Sequence, residues 1–248
     1  MTDSAAADCK QHVVTQVRGV DLSLVSYTRA LELCARMNYE TEVLDFIDGI
    51  GEDEILYDLG ACEGRFALYA AMWQIHCYAF EPEAANFQAM MENIALNGAA
   101  VQNYITPVNC AVGSFSGRAK LHVGQPWAGG HHKTVANEAE RSDLSFDAVT
   151  EQEISIVALD EYVCSAKLPT PNYLKIDVDG SELAVLDGAE DILSTPELKG
   201  IIFELCTTDR SYQQVISRLN SLGFLTGTHH PVPNTSDLFN VVFARRAA

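Results

Sequence analysis

The chain has 248 residues, 48% of them hydrophobic and 20% charged, which suits one sizeable core and excludes a disordered or fibrous protein. A formal net charge of −18, with no Lys/Arg cluster to offset it, repels a phosphate backbone and excludes long nucleic acid as a partner. The opening MTDSAAADCKQ lacks the apolar centre of a secretion signal and no later run suits a bilayer, so a cytoplasmic protein with no membrane contact is expected, its seven cysteines reduced because no CxxC pair exists.

In chain order, Leu24, Tyr27, Leu31 and Cys34 recur at helical spacing and predict a helix within residues 20–37. A second helix, Glu40 to Asp48, stops at Gly49, so residues 1–50 are expected to form a helical cap on a domain spanning 51–248. ILYDL (55–59) ends at Gly60 in the manner of a buried strand, and Phe66, Tyr69, Ala70 and Trp73 then share a helical face. HCYAF (76–80) is a short strand, and Phe87, Met90, Met91 and Ile94 mark the next helix. Strand, helix, strand, helix with short links predicts a parallel sheet with right-handed crossovers. Further strands are expected within 102–112 and, antiparallel, over 118–123. Residues 124–153 are acidic and glycine-rich with weak periodicity, and are expected to form a loop or lid insertion. Order resumes over 154–163, followed by a strand at 172–177, a helix interrupted at Gly188, and the buried strand GIIFEL (200–205). A helix from Tyr212 to Leu222 ends at Gly223, which suits a left-handed C-cap, and NVVFARR (240–246) is expected to close the sheet. The fold class expected is α/β and Rossmann-like, a mostly parallel central sheet with helices on both faces.

Chemistry concentrates where the first strand meets its helix. In DLGACEG (58–64), Gly60 lets the backbone turn at the strand's carboxyl end and Gly64 lets a ligand and the helix approach closely. Asp58 is expected at the mouth, and Ala61 and Glu63 against the ligand. No Lys follows Gly64, which excludes a P-loop, and Cys62 replaces the central glycine of a dinucleotide fingerprint. Glu63 would repel a pyrophosphate. A ligand without phosphate and with a positive centre fits better, and S-adenosylmethionine is such a ligand. Glu81-Pro82 follows the second strand directly, where an acid accepts hydrogen bonds from both ribose hydroxyls of an adenosine and Pro suits a first helical turn.

At YLKIDVDGSELAVLDGAEDIL (173–193) the sequence resembles the FkbM family of methyltransferases, whose pattern reads K-I-D-[VI]-[ED]-G-x-E-x-x-V-L-x-G-A. DLGACEG, FEP (80–82), ENIALNG (92–98) and NCAVGSFSG (109–117) precede it in the family's order, and together the motifs cover residues 54–205. Cys62 and Glu63 stand where the family commonly has Asn and Ile, and Asp179 stands for the commoner Glu. The resemblance implies a class I methyltransferase fold, bound S-adenosylmethionine and usually an oxygen acceptor, such as a sugar or secondary metabolite.

On that reading Glu81 holds the ribose, Asp58 or Asp177 faces the methionine ammonium, and Asn109, Cys110 and Ala111 border the adenine. An alcohol acceptor must lose a proton, and Asp177, Asp179, Glu182 and Glu204 fall near carboxyl ends of strands, where a base is useful. The same carboxylates are chemically able to hold a divalent cation, though no metal is expected. His131-His132 in the insertion and His229-His230 near the C-terminus offer alternative bases, His131 and His230 foremost, and Trp127 an aromatic for stacking. A homo-oligomer is left open. Two rival readings also stand: an NAD-dependent oxidoreductase, which the fold and Glu81 suit as well, and a non-catalytic module that binds a cofactor.

Overall fold

A computed structural model describes residues 11–130, 133–136, 148–233 and 235–246. The described residues open with an antiparallel hairpin, β1 (His12–Val17) and β2 (Val20–Val25), and not with a helix. Arg18 and Gly19, at φ of 46° and 89°, supply the paired left-handed residues that a tight hairpin turn needs. The helix expected within 20–37 is therefore reduced to α1 (Arg29–Cys34). Leu22 and Leu24 are buried at period two, as strand residues, while Leu31 and Cys34 are buried from α1, so the helical spacing across them was coincidental. The second helix forms as expected, as α2 (Thr41–Asp48), and stops at Gly49. The supposed helical cap is thus a hairpin with two short helices. Leu22 and Leu24 share one core with Leu56 and Ala67, which joins this segment to the rest of the domain.

Alternation follows with β3 (Ile55–Leu59), α3 (Arg65–Met72), β4 (His76–Phe80), α4 (Ala84–Asn97), a short α5 (Ala99–Gln102) and β5 (Ile105–Val108). Next come β6 (Ala111–Val112), β7 (Gly117–Val123), β8 (Lys133–Ala136) and β9 (Thr150–Val157). The chain then returns to the main sheet through α6 (Leu159–Ala166), β10 (Tyr173–Ile176), α7 (Glu182–Asp187), α8 (Glu190–Ser194), β11 (Gly200–Cys206), α9 (Tyr212–Ser221), β12 (Phe224–Pro231) and β13 (Leu238–Arg245).

Among the described residues the main sheet has seven strands in the order β12-β13-β11-β10-β3-β4-β5. Strands β5, β4, β3, β10 and β11 run parallel, and β13 lies antiparallel between β11 and β12. The 240–246 segment is therefore interior to the sheet. The edge is β12, whose sequence FLTGTHHP is too polar to read as a strand. Leu56 packs on the face covered by α2, α3 and α4, and Tyr57 and Leu59 on the face covered by α6 to α9, as period-two alternation requires. The 118–123 strand is antiparallel as expected, but belongs to a second sheet of order β6-β9-β7-β8. Residues 124–153, expected to be a loop, contribute β8 and the start of β9 to that sheet. Among the described residues, no helix is long and apolar enough to cross a membrane.

From β3 the chain steps outward to β4 and β5, then returns to the other side of β3 as β10 and β11. The carboxyl ends of β3 and β10 consequently form the switch point at which open α/β sheets bind ligands.

Candidate active site

Three left-handed residues in a row of alternates, Gly60, Cys62 and Gly64 at φ of 83°, 52° and 81°, fold DLGACEG into a compact turn. A Cβ on Gly60 would lie 1.9 Å from the carbonyl oxygen of Asp177, so only glycine allows the ends of β3 and β10 to meet. The Gly60 and Ala61 amides both donate to the Phe80 carbonyl, at 3.0 and 2.9 Å, tying the turn to the end of β4. Gly64 begins α3 against Met90, whose Cγ would stand 2.7 Å from an added Cβ.

Glu81, 4% exposed, lies directly across from the turn. One carboxylate oxygen accepts from the Cys62 amide at 2.9 Å and the other from the Glu83 amide at 2.8 Å. Burial pushes this carboxyl up to about 7, against the pull of Lys133. Asn109 donates from Nδ2 to the Glu81 carbonyl at 2.8 Å and so fixes the backbone that aims the acid.

Beneath the turn, Lys175 donates to Asp58 at 2.9 Å and to Asp177 at 3.1 Å. Asp58 is fully buried and its Oδ2 has no hydrogen-bond partner among the described residues. Burial raises its pKa, which the charge of Lys175 partly opposes. To one side, Arg65 pairs with Glu40 and, at 3.0 Å, with Glu63, between the rings of Tyr39 and Phe66. Glu40 holds a left-handed backbone, φ 54°, at the start of α2 and brings a carboxylate oxygen within 4.8 Å of those of Asp177 and Glu204. Burial and the neighbouring Asp177 charge push Glu204 well above the ordinary carboxylate range.

Two connected cavities open over these groups. The smaller, about 110 Å³, is bordered by Gly60, Glu81, Pro82, Cys110, Ala111 and Asp177. The larger, about 1450 Å³, holds Glu182, Trp127, Asp209 and Asp237 on its walls. Glu40, Val135, Val178, Asp179, Ser181 and Glu204 border both. Glu182 is 7% exposed, accepts from the Gly180 amide at 2.8 Å, and is pushed by burial up to about 7. Asp179 accepts from the Lys133 amide at 2.8 Å, which ties β8 across the top of the smaller cavity.

The structure thus gathers Gly60, Glu81, Pro82, Cys110, Ala111, Asp177, Asp179, Glu182 and Glu204 around one connected space. It separates others from it. Asp58, expected at the mouth, points into the core toward Lys175, and Glu63, expected against the ligand, is folded back onto Arg65. Ala61, Gly64 and Asn109 shape the turn and its support without bordering either cavity. His230 borders neither cavity, its neighbour His229 is paired with the Tyr212 hydroxyl at 2.7 Å, and His131 lies outside the described residues. Glu40, Arg65 and Lys175 went unassigned in the sequence. Lys175 carried a usable signal, since it precedes Asp177 by two in a strand and therefore shares its face.

A family model for the methyltransferase FkbM domain matches residues 58–226. The chain is 29% identical to the hexuronic acid methyltransferase AglP of Haloferax volcanii over 58% of this chain and 53% of that protein, spanning about half its length. It is 26% identical to the 31-O-demethyl-FK506 methyltransferase FkbM of Streptomyces tacrolimicus, over 79% of this chain and 82% of that one. Among solved structures it resembles methyltransferase FkbM from Methylobacillus flagellatus, with a TM-score of 0.52 at 18% identity over 77% of this chain and 43% of the other. It also resembles precorrin-6y C5,15-methyltransferase from Geobacter metallireducens, with a TM-score of 0.50 at 12% identity over 84% and 87%. These likenesses show the class I methyltransferase fold.

Proposed function

The chain belongs to the FkbM methyltransferase family, and from that premise we propose that it transfers the methyl group of S-adenosylmethionine to a hydroxyl of a small polyhydroxylated acceptor, a sugar or a secondary metabolite. The observation that carries this reading is a buried carboxyl, Glu182, held near neutrality on the wall of a large cleft that joins the smaller cavity through Asp179 and Glu204. A base poised near the working pH is what an alcohol needs as it attacks. The names of two relatives, a hexuronic acid methyltransferase and a 31-O-demethyl-FK506 methyltransferase, support a hydroxylated acceptor.

The donor set of the smaller cavity suits the cofactor. Glu81 would accept from the ribose hydroxyls, Cys110 and Ala111 would border the adenine, and Asp177 would face the cationic methionine end. Both cations on this cavity's walls are already engaged, Arg65 by Glu40 and Glu63 and Lys133 by Glu83, so among the described residues none is left for a pyrophosphate. This favours S-adenosylmethionine over NAD. When bound, the cofactor supplies an electrophilic methyl on a sulfonium. Charge at that sulfur falls as the methyl departs, so a wall of bare carboxylates would stabilise the ground state more than the transition state. Arg65 on Glu40 and Lys175 on Asp177 temper that wall. The same pairings leave Glu40 and Asp177 ill-suited as metal ligands, which supports a reaction needing no metal.

Calorimetry with S-adenosylhomocysteine and with NAD, followed by labelled-methyl transfer to a panel of monosaccharides and polyols with and without a chelator, tests this. S-adenosylhomocysteine should bind, weaken about tenfold or more in Glu81→Ala, and be unaffected by chelation. Binding of NAD alone would overturn the cofactor assignment, and activity lost to the chelator and restored by magnesium would overturn the metal-free reading.

A further inference from the structure

Lys175 belongs to neither cavity, and the residue is only 5% exposed. A lysine is rarely buried unless something in the fold requires its charge. Its strand position explains how it got there. Parallel pairing sets Lys175 opposite Asp58 of β3 and Ile202 of β11, and the two-residue period puts Asp177 on the same face. The ammonium then meets three acceptors from three segments: Asp58 Oδ1 at 2.9 Å, Asp177 Oδ2 at 3.1 Å and the Gly60 carbonyl at 3.4 Å. Three donors are matched to three acceptors, and those acceptors are the strand before the glycine turn, the turn itself and the acid at the end of β10.

Resting on the methyltransferase reading above, we propose that Lys175 is a positioning residue for the cofactor: its ammonium locks the glycine turn to Asp177 and keeps that carboxylate aimed into the smaller cavity. Without the ammonium, Asp58 and Asp177 would face each other as buried like charges beneath the turn. The acids would separate or share a proton, and either change moves the carboxylate that receives the methionine end. The other charged or titratable groups around the ammonium are Glu40 at the start of α2, Arg65 of α3, Cys77 of β4 and Glu204 of β11. Arg65 is committed to Glu40 and Glu63, so it does not substitute for Lys175.

The test is calorimetric titration of S-adenosylhomocysteine into wild type, Lys175→Met and the Asp58→Asn/Lys175→Met double variant, from about pH 5.5 to about pH 8, with thermal unfolding of each. Lys175→Met should bind at least about tenfold more weakly than wild type at the high end, and the ratio should narrow on acidification as a shared proton replaces the lost cation. Normalising to wild type removes the contribution of Glu81, which titrates in the same range. The double variant, with no buried charge left at position 58, should recover thermal stability but not affinity. A double variant that folds like wild type and binds within about twofold of it overturns the proposal, as does a single-variant deficit that ignores pH. If wild type itself fails to bind, the methyltransferase reading fails instead, and the two failures are told apart.

Discussion

A single carboxyl shows how function is written against stability. Glu182 enters α7 with its side chain buried and accepting a hydrogen bond from the Gly180 amide. Burial raises its pKa from 4.5 to about 7, so the folded state keeps a proton that the unfolded chain has released. Its stabilising effect is therefore complete below about pH 4.5 and disappears as pH rises through about 7, where the folded protein must bury the charge. Glu182→Gln keeps the oxygen that accepts from Gly180 and removes that charge. It should leave the melting temperature unchanged near pH 5 and raise it near pH 8, by at most ~3 kcal/mol of stability. Transfer activity should fall at least about a hundredfold, losing the rise through neutrality that a base of this pKa imparts. A variant that stays active with the same pH profile would remove Glu182 from the chemistry, and a lower melting temperature at high pH would refute its ionisation. The sequence disclosed which acids lie at strand ends, and Glu81, Asp177, Asp179, Glu182 and Glu204 were legible on that ground. It did not disclose direction. Asp58 and Glu63 stand beside the turn, where ligand contacts are expected, yet their cationic partners, Lys175 and Arg65, draw both side chains away from the cavities. Glu40 was invisible because nothing local marks a residue at a helix start that meets Asp177 and Glu204 only through folding.

At the scale of elements, the β1–β2 hairpin was the main illegible feature, and the way α4 holds it explains why it is stable there. Asn93 and Asn97, one helical turn apart, act as a surrogate strand for the edge of β2. Asn93 Oδ1 accepts from the Val25 amide at 2.7 Å, and Asn97 accepts from the Ser23 amide and donates to its carbonyl, at 3.0 and 2.8 Å. Each satisfies backbone groups that would otherwise be an unpaired edge. Asn93 also donates to the Glu63 carbonyl at 2.8 Å, which links the hairpin through α4 to the glycine turn. These bonds span about seventy residues or connect a helix to a loop, so no local periodicity announces them. The strand–helix alternation from β3 to β4, by contrast, was readable because a strand buried on both faces is a short apolar run and the helix between has its own period. Asn93 is fully buried, and Asn93→Ala would strand two backbone groups, one in the hairpin and one in the turn. It should cost about 2–4 kcal/mol in urea denaturation, against roughly 1 kcal/mol for Asn97→Ala, and should weaken S-adenosylhomocysteine binding while Asn97→Ala does not. Equal costs, or a binding loss common to both, would mean that α4 supports the turn by packing and not through this side chain.

Charge is the property of the whole molecule that reaches the site. A net charge of −18 makes the folded chain repel itself, while the same excess of acids surrounds a cavity for which a cationic ligand is proposed. Asp177 and Glu40 carry that excess onto the cavity wall, and beside them Glu204 is raised by its neighbours as well as by burial. Sodium chloride should consequently act in opposite senses on fold and ligand. Raising it from about 10 mM to about 0.5 M shortens the Debye length from ~30 Å to a few ångströms, so self-repulsion is screened and the melting temperature should rise. S-adenosylmethionine bears a net positive charge that S-adenosylhomocysteine lacks, so the long-range attraction belongs to the first alone. The ratio of their affinities, measured at the same two salt concentrations, should then shift toward S-adenosylhomocysteine as salt increases, even while the protein becomes more stable. Taking the ratio cancels every salt effect on the fold, the adenosine and the methionine backbone, and leaves the sulfonium charge. A ratio that ignores salt would mean that Arg65 and Lys175 neutralise the cavity so completely that the acidic surface is not felt inside it.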